Sequence, residues 1–192
     1  MEPVFIEDKV FHNSDITQSP LAKGEYEKCT FKDCDFSNAN FKEIKFIDCE
    51  FVGCNLSLVN VTKTAFRDIK FRGCKMLGMQ FQNCNPFGLA FSIDHCNLTH
   101  SSFFKTKLKN TLFKQSQLVE VDFSETDLTG CVFDNCDLTG TVFEHSILEN
   151  ADFRTAFNYM IDPEINRMKK ARFSLPEVVG LLNKYDIDID AR

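Results

Sequence analysis

Residues 29–56 read CTFKDCDFSNANFKEIKFIDCEFVGCNL, and this stretch decides the fold. Phenylalanine recurs every fifth residue, at positions 31, 36, 41, 46 and 51, while cysteine stands at 29, 34, 49 and 54. An α-helix repeats near 3.6 residues and a β-strand at 2, so neither element explains a period of five. The period must therefore arise from a longer structural unit.

The period of five covers most of the chain. Large residues occupy the centre of most units from Phe11 to Phe91, the phase slips by two within SIDHCN (92–97), and the pattern resumes from Leu98 to Phe153. A smaller or apolar residue stands two positions before each centre, and the other three positions are mostly polar. Two inward and three outward positions in every five predict a solenoid with no separate helix and sheet layers.

The second half of the chain tests how many sides this solenoid has. Its centres alternate strictly between leucine and phenylalanine, so every fourth centre is of the same type. Leu98, Leu118 and Leu138 would form one column, and Phe103, Phe123 and Phe143 the next. This uniformity predicts four sides, with bulky and slim columns alternating to fill the interior.

Individual units resemble those of the pentapeptide-repeat family. Matching units are ADFRT at 151–155, TDLTG at 126–130, CDLTG at 136–140 and CDFSN at 34–38. The resemblance implies an all-β solenoid, a right-handed quadrilateral β-helix with four units per coil and about 4.8 Å between coils. We expect this β-helix in residues 1–157, with about seven coils at that spacing and an irregular part near 83–97.

The cysteines occupy one kind of position. All nine stand two residues before a centre, and five of them share a column once the slip is counted: Cys34, Cys54, Cys74, Cys96 and Cys136. A metal site and a disulfide framework are the functional alternatives. The Cys-x4-Cys spacing does not match a zinc motif, and stacked side chains should all point inward. We therefore favour small apolar core fillers.

The regular count fails at NCNPFGLAFSIDHCN, residues 83–97. Pro86 falls on a centre position and two extra residues follow Phe91, so we expect a bulge or loop here. A tolerated irregularity is one interpretation. The other is a contact with a partner, because loops on rigid scaffolds often carry function. The candidate contact residues are Pro86, Phe87, Asp94 and His95.

Residues 158–192 are predicted to form a cap and dimerisation element. In SLPEVVGLLNKY, Ser174 as N-cap, Pro176 early and Glu177 three residues after the cap predict an α-helix. DIDID (186–190) alternates as a short strand does. A solenoid end must be covered, so capping alone is the alternative. The predicted dimerisation residues are Leu175, Val178, Val179, Leu182, Ile187 and Ile189.

Charge is distributed unevenly along the chain. Residues 118–157 hold nine acids and one base, 1 − 9 = −8, whereas residues 1–117 hold 13 acids and 15 bases, and the tail six of each. An ordinary solvated surface is one explanation. The other is an acidic rod that occupies a basic DNA-binding site, since nine carboxylates over about 10 Å approach the charge density of B-DNA. Joining two rods at their C-terminal ends would place both acidic blocks around the two-fold axis. The predicted partner-binding acids are Asp122, Glu125, Asp127, Asp134, Asp137, Glu144 and Glu149.

The tail DPEINRMKKARFSLPEVVGLL (162–182), with the PF and FSIDHCNL elements near 86–98, is similar to the topoisomerase-interacting branch of the family. That branch includes the Qnr-, MfpA- and McbG-type proteins. The resemblance implies a homodimer that binds gyrase or topoisomerase IV without catalysis and protects it from quinolones or a peptide toxin. One departure is that many Qnr proteins carry longer loops. The alternative function is a scaffold module for an unknown protein partner.

Other functions receive no support from the sequence. The four histidines are scattered, and neither a phosphate-binding loop nor a paired-carboxylate motif stands out, so we predict no enzyme activity and no cofactor. No apolar run reaches the roughly 20 residues of a membrane span, and no signal peptide is visible, which predicts a cytoplasmic protein. The acidic balance argues against direct nucleic-acid binding.

Overall fold

The computed structural model describes residues 3–12 and 21–190. In these residues the backbone winds around one axis as a series of short strands joined by tight turns. The eleven strands are β1 (Val4–Glu7), β2 (Val10–His12), β3 (Gly24–Glu27), β4 (Thr30–Lys32), β5 (Lys45–Ile47), β6 (Glu50–Val52), β7 (Ala65–Arg67), β8 (Ile69–Arg72), β9 (Phe91–Asp94), β10 (Leu112–Lys114) and β11 (Val132–Asp134).

All strand pairs are parallel, and they form two sheets. One sheet has the order β1-β3-β5-β7 and the other β11-β10-β9-β8-β6-β4-β2. Each residue pairs with its equivalent one coil away, as Phe31 does with both Phe11 and Phe51. Isolated parallel bridges such as Asn55↔Lys75 and Asp122↔Val142 form the remaining two sides. The four-sided parallel solenoid is confirmed.

We number the faces in chain order by the residues at their centres. The first face carries Phe31, Phe51 and Phe71, the second Phe36, Leu56 and Met76, the third Phe41, Val61 and Phe81, and the fourth Tyr26, Phe46 and Phe66. Equivalent residues of successive coils lie one above another on the same face, so the first and third faces are opposite sides of the rod.

The core is one continuous column of stacked side chains. Leu98, Leu118 and Leu138 are fully buried, as the predicted leucine column requires. Phe123 stacks on Phe103 with ring centroids 5.0 Å apart, and on Phe143 at 5.5 Å. These distances approach the spacing of neighbouring strands because each coil carries one ring of the column. The predicted alternation of columns is confirmed.

The chain turns each corner at the second residue after a centre. Residues there have a left-handed backbone, for example Asp33 (φ 53°), Asn38 (φ 57°) and Leu58 (φ 57°). This conformation costs most residues other than glycine about 1–2 kcal/mol. Glycine avoids the cost, and Asp and Asn tolerate the conformation because their short polar side chains can hydrogen-bond locally, which explains why these three are frequent at corners. At Gly130 (φ 71°) an added Cβ would also lie 2.4 Å from Asn110 Oδ1.

The nine cysteines are free thiols, and all are buried in the core. Cys49 Sγ donates to Tyr26 O (3.2 Å) and Cys131 Sγ to Leu108 O (2.8 Å), in each case on the previous coil. Thr64 Oγ1 makes the same bond to Phe41 O at 2.8 Å. The core-filler interpretation is confirmed, with an added function: the side chain at this position closes one coil onto the previous one.

The interruption lies earlier than the sequence predicted. Ile69 pairs with Phe91 and Phe71 with Ile93, so Ile93 is the centre and Phe91 takes the position two before it. The two extra residues therefore precede Phe91 instead of following it. The loop at 86–89 accommodates them, and Pro86 in this loop is exposed and does not occupy a centre. A short 3-10 turn, η1 (Phe81–Asn83), precedes this loop.

The C-terminal region differs from the prediction in three ways. The ladder does not end at residue 157, because Ile147 pairs with Arg167 and Asp152 with Arg172. The predicted α-helix is instead two 3-10 turns, η2 (Val178–Leu181) and η3 (Asn183–Tyr185), without a side-chain N-cap bond. Residues 186–190, predicted as a strand, have no regular structure in the described chain.

Candidate partner-binding surfaces

The predicted acidic residues do not form one patch. Because each coil passes over all four faces, the block 118–157 winds around the rod twice and distributes its charge over every side. The first face holds Asp134, the second Asp137, the third Asp122, Glu125 and Glu144, and the fourth Asp127 and Glu149.

Three of these carboxylates also stabilise the turns of the coil. Asp127 Oδ1 accepts bonds from Thr129 N (3.2 Å) and Thr129 Oγ1 (2.6 Å), and Asp137 binds Thr139 in the same way. Asp122 Oδ1 accepts from Ser124 N at 2.8 Å. Burial opposes ionisation of Asp127, but the bonds from Thr129 and Lys109 outweigh it, and the pKa of the carboxyl is lowered.

Three of the predicted acids form ion pairs with bases from neighbouring coils. Glu125 lies 3.3 Å from Lys105, Asp127 lies 3.2 Å from Lys109, and Glu149 lies 2.7 Å from Arg167. Asp152, in the same block, also contacts Arg172, at 3.6 Å. Adding these four bases changes the local charge from −8 to −8 + 4 = −4. The acidic field is therefore weaker than the sequence block alone predicts.

The sequence contains a signal for this compensation. Lys105 and Glu125 occupy equivalent positions on successive coils, as do His100 and Glu120 (Nδ1 to Oε2 3.0 Å). Comparing the sign of charge at equivalent positions of successive coils finds these pairs in the sequence itself. The same comparison places lysines at 105, 107, 109 and 114 in a basic band with no acid between residues 95 and 119.

The third face keeps the densest acidic surface. It presents Asp122 and Glu144 on two successive coils, with Glu120 and Glu125 at its two corners. Glu144 is exposed, and within the described residues its carboxylate forms no ion pair. We call these four residues the acidic patch.

The predicted loop contacts lie on two different faces. Phe87, on the loop of the fourth face, is 75% exposed, and Arg67 lies over its ring at 5.3 Å. Asp94 ends strand β9 on the first face, where it contacts His95 Nδ1 at 2.8 Å. The structure therefore brings Pro86 and Phe87 together and separates them from Asp94 and His95.

The C-terminal end exposes an apolar surface. Five of the six predicted dimerisation residues are exposed: Leu175, Val179, Leu182, Ile187 and Ile189. Val178 is half-buried, while Leu181 packs against the core. Val179, Leu182, Ile187 and Ile189 line a cleft of about 640 Å³ against the last coil.

Several bases lie near this end, on the fourth and first faces of the rod. These bases are Arg167, Lys169, Lys170 and Arg172, on the last coil of the ladder.

The described residues contain neither a metal-binding cluster nor a membrane-spanning helix. In the described ranges, no group of three or more His, Cys, Asp and Glu side chains could hold a metal ion. None of the helical segments described is long and apolar enough to cross a membrane.

Comparisons with known proteins identify the repeat. A family model described as a pentapeptide repeat region matches residues 25–93, and one described as pentapeptide repeats matches 96–135 and 116–154. No curated protein sequence matches the chain significantly.

Solved structures agree on the fold. A trypsin-treated variant of QnrB1, a plasmid-mediated fluoroquinolone resistance protein, matches with a TM-score of 0.55 and 15% identity, over 99% of this chain and 100% of that one. Full-length QnrB1 matches with 0.45 and 19%, over 96% and 100%. HetL of the cyanobacterium Nostoc, involved in heterocyst differentiation regulation, gives 0.39 and 12%, over 88% and 84%. At these identities the likeness concerns the fold. The matched repeats, over residues 25–93 and 96–154, show that this chain belongs to the pentapeptide-repeat family.

Proposed function

We propose that the chain is a non-catalytic DNA mimic that binds a type II topoisomerase, either gyrase or topoisomerase IV, and protects it from a poison. The observation that carries the proposal is the acidic patch, held on a rigid rod whose fold is shared with a fluoroquinolone resistance protein. Carboxylates fixed on successive coils, about 4.8 Å apart, can face lysine and arginine side chains that otherwise bind phosphates.

The positions of the acids on the four faces limit which of them a single partner surface could reach. A partner surface that approaches the third face reaches Glu120, Asp122, Glu125 and Glu144, whereas Asp134 lies on the opposite side of the rod. Asp127, Asp137 and Glu149 lie on the two adjacent faces and would join only if the partner encloses the rod. The interaction should weaken steeply with added salt, because the charges are exposed.

The direct test is a gyrase supercoiling assay with the purified chain, in the presence and absence of a fluoroquinolone. Restored supercoiling in the presence of the drug supports protection. Inhibition without rescue supports mimicry by a regulator. If micromolar chain changes neither gyrase nor topoisomerase IV activity, the proposal is wrong.

Two matched variants locate the contact. Glu125→Lys with Glu144→Lys reverses two charges on the third face, and Asp134→Lys with Glu149→Lys makes the same change elsewhere. We expect the first pair to abolish the effect on the enzyme and the second to leave it largely intact. Equal loss in both pairs would mean that the partner surrounds the rod. Circular dichroism confirms that each variant is folded.

We further propose that the chain is a homodimer joined through its C-terminal apolar surface. Leu182 is 38% exposed beside exposed Val179, so Leu182→Glu should place a charge in the interface and yield monomers. Analytical ultracentrifugation measures the mass. A dimer that persists in this variant would leave the segment as a cap only.

A scaffold for another protein remains the second candidate, and the compensation of the acidic block from −8 to −4 favours it. Binding to a topoisomerase that is insensitive to salt, or unaffected by the third-face reversals, would support the scaffold.

A further inference from the structure

The loop at 86–89 opens a pocket in the fourth face. Its apolar part is formed by Phe81, Cys84, Phe87 and Leu89, with Gln82 and the stretch 105–107 completing the wall, and its volume is about 490 Å³. Pockets of about 300–1,000 Å³ are typical of ligand sites. The central column of this face runs from Phe66 to Leu108. The coil between them has no central residue in the column, because its chain forms the loop there.

The threonine column shows that the core is open here. Thr64 and Thr126 occupy the inward position of this face and are 0% exposed. Thr106, at the equivalent position on the coil after the loop, is half-buried and lines the pocket. Its hydroxyl donates to Phe103 O of its own coil at 2.7 Å, whereas Thr126 reaches back to the same atom from the next coil.

The rim of the pocket is basic. Lys105 and Lys107 line it, and both are exposed. Lys105 forms an ion pair with Glu125 at 3.3 Å, whereas Lys107 forms no ion pair within the described residues. The ladder neighbour of Lys107 is Asp127, whose carboxylate is bound by Lys109 and Thr129. Lys107 is therefore a cation available to an external carboxylate.

We propose that this pocket binds a short acidic peptide segment of a partner protein, which inserts one large apolar side chain. The apolar wall receives the side chain, and an adjacent carboxylate of the segment pairs with Lys107. Phe87, an exposed aromatic residue at the rim, adds the kind of contact found at protein interfaces. The surface has the opposite charge to the acidic patch, and the proposal does not depend on the identity of the partner named above.

The test uses three fluorescein-labelled peptides of equal length: GDEFLDG, its basic counterpart GKKFLKG, and GDEGGDG without the apolar side chains. We expect fluorescence anisotropy to show saturable binding of the first peptide alone. Two-dimensional NMR of the labelled protein should place the shifted amide signals at Gln82, Leu89 and Thr106. Absence of binding of GDEFLDG at millimolar protein, or shifts confined to other faces, would overturn the proposal.

Surface variants then test the roles of single residues without disturbing the core. Lys107→Glu should weaken binding of GDEFLDG about tenfold, and Phe87→Ala should weaken it severalfold. Lys32→Glu, the same charge change on an exposed lysine of the first face, should change it less than twofold. Equal weakening by Lys107→Glu and Lys32→Glu would mean that only net charge matters. If 3-phenylpropionate competes as strongly as the peptide, the site is one for small carboxylic acids and the peptide assignment is wrong.

Discussion

The first and fourth faces of the rod are built from the same repeat, but the interruption at 86–89 affects them differently. On the first face the column Phe71, Ile93 and Phe113 continues through the interruption without a missing member. On the fourth face the column lacks a residue between Phe66 and Leu108, and Thr106 becomes half-buried. The ladder nevertheless resumes at once, since Ala90 N donates to Phe66 O and Ile69 N to Ala90 O, both at 3.0 Å. A defect in one face therefore stays local, because the other three keep the coils in register.

The largest effect should come from truncating the unbroken column. Phe133 is fully buried and stacks on Phe113 at 5.1 Å and on Phe153 at 4.7 Å. Phe133→Ala should lower the free energy of unfolding by about 3–5 kcal/mol, because it removes a buried ring and leaves a cavity.

Leu89→Ala, on the interrupted face, should cost roughly 1 kcal/mol, since Leu89 is only partly buried. Phe87→Ala, at a residue 75% exposed, serves as the control with almost no change. Urea unfolding followed by circular dichroism measures all three variants. Similar losses for Phe133→Ala and Leu89→Ala would mean that the loop contributes as much packing as the regular column.

A smaller difference should separate two threonines of the fourth face. Thr64 is 0% exposed and its hydroxyl donates to Phe41 O at 2.8 Å. Thr64→Val should cost about 1–2 kcal/mol, because a buried hydrogen bond is lost with no water to replace it. Thr106→Val should cost clearly less, as water reaches that position. Thermal unfolding of both variants checks the order, and a reversed order would contradict an open pocket at Thr106.

The finest comparison concerns two thiols, Cys84 and Cys131, which differ little in exposure. Burial raises the pKa of Cys84 and of Cys131 to about 12, so at pH 8 both should react with iodoacetamide on the order of a thousandfold more slowly than a free cysteine. A raised thiol pKa means that labelling should accelerate as the pH rises. Cys84 is 6% exposed and borders the pocket, whereas Cys131 is 0% exposed.

Cys84 should therefore be the first of the nine thiols to be modified. Peptide mass spectrometry at successive times identifies the labelled residue, and protein unfolded in urea, in which every thiol should react, is the control. Simultaneous labelling of Cys84 and Cys131 in the folded protein would indicate global opening of the coil rather than access through the pocket.

Repetition makes the regular coil predictable from sequence, but not its exceptions. Large residues stand at both Phe91 and Ile93, so residue size alone does not tell which of them is the centre, and the slip is predicted on the wrong side of Phe91. The backbone pairing of Phe71 with Ile93 decides it. A count of acids along the chain likewise does not show how the charge is distributed over the surface. Each coil passes over all four faces, so acids that are close in sequence lie on different sides of the rod.

The α-helix prediction is wrong because its signals are local. Ser174, Pro176 and Glu177 do favour a helix start, and Val178 N does donate to Ser174 O at 3.0 Å. The next bonds are shorter turns, from Gly180 N to Glu177 O and from Leu182 N to Val179 O. Gly180 lies so close to the last coil that an added Cβ would be 2.0 Å from Tyr159 O. Contact with the coil outweighs helix propensity in so short a segment.

Each residue pairs with its equivalent one coil away, and this register limits how the chain can change in length. Removing or duplicating one complete coil shifts everything beyond it by a single strand spacing, about 4.8 Å, and leaves each side chain on its original face. Removing one unit of five between Lys105 and Glu125 would instead rotate the remainder by a quarter turn, carrying Glu144 away from the third face and breaking the pairing of Lys105 with Glu125. Related chains that keep the same surface should therefore differ in length by whole coils. Other differences should be confined to loops, as the two extra residues before Phe91 are here.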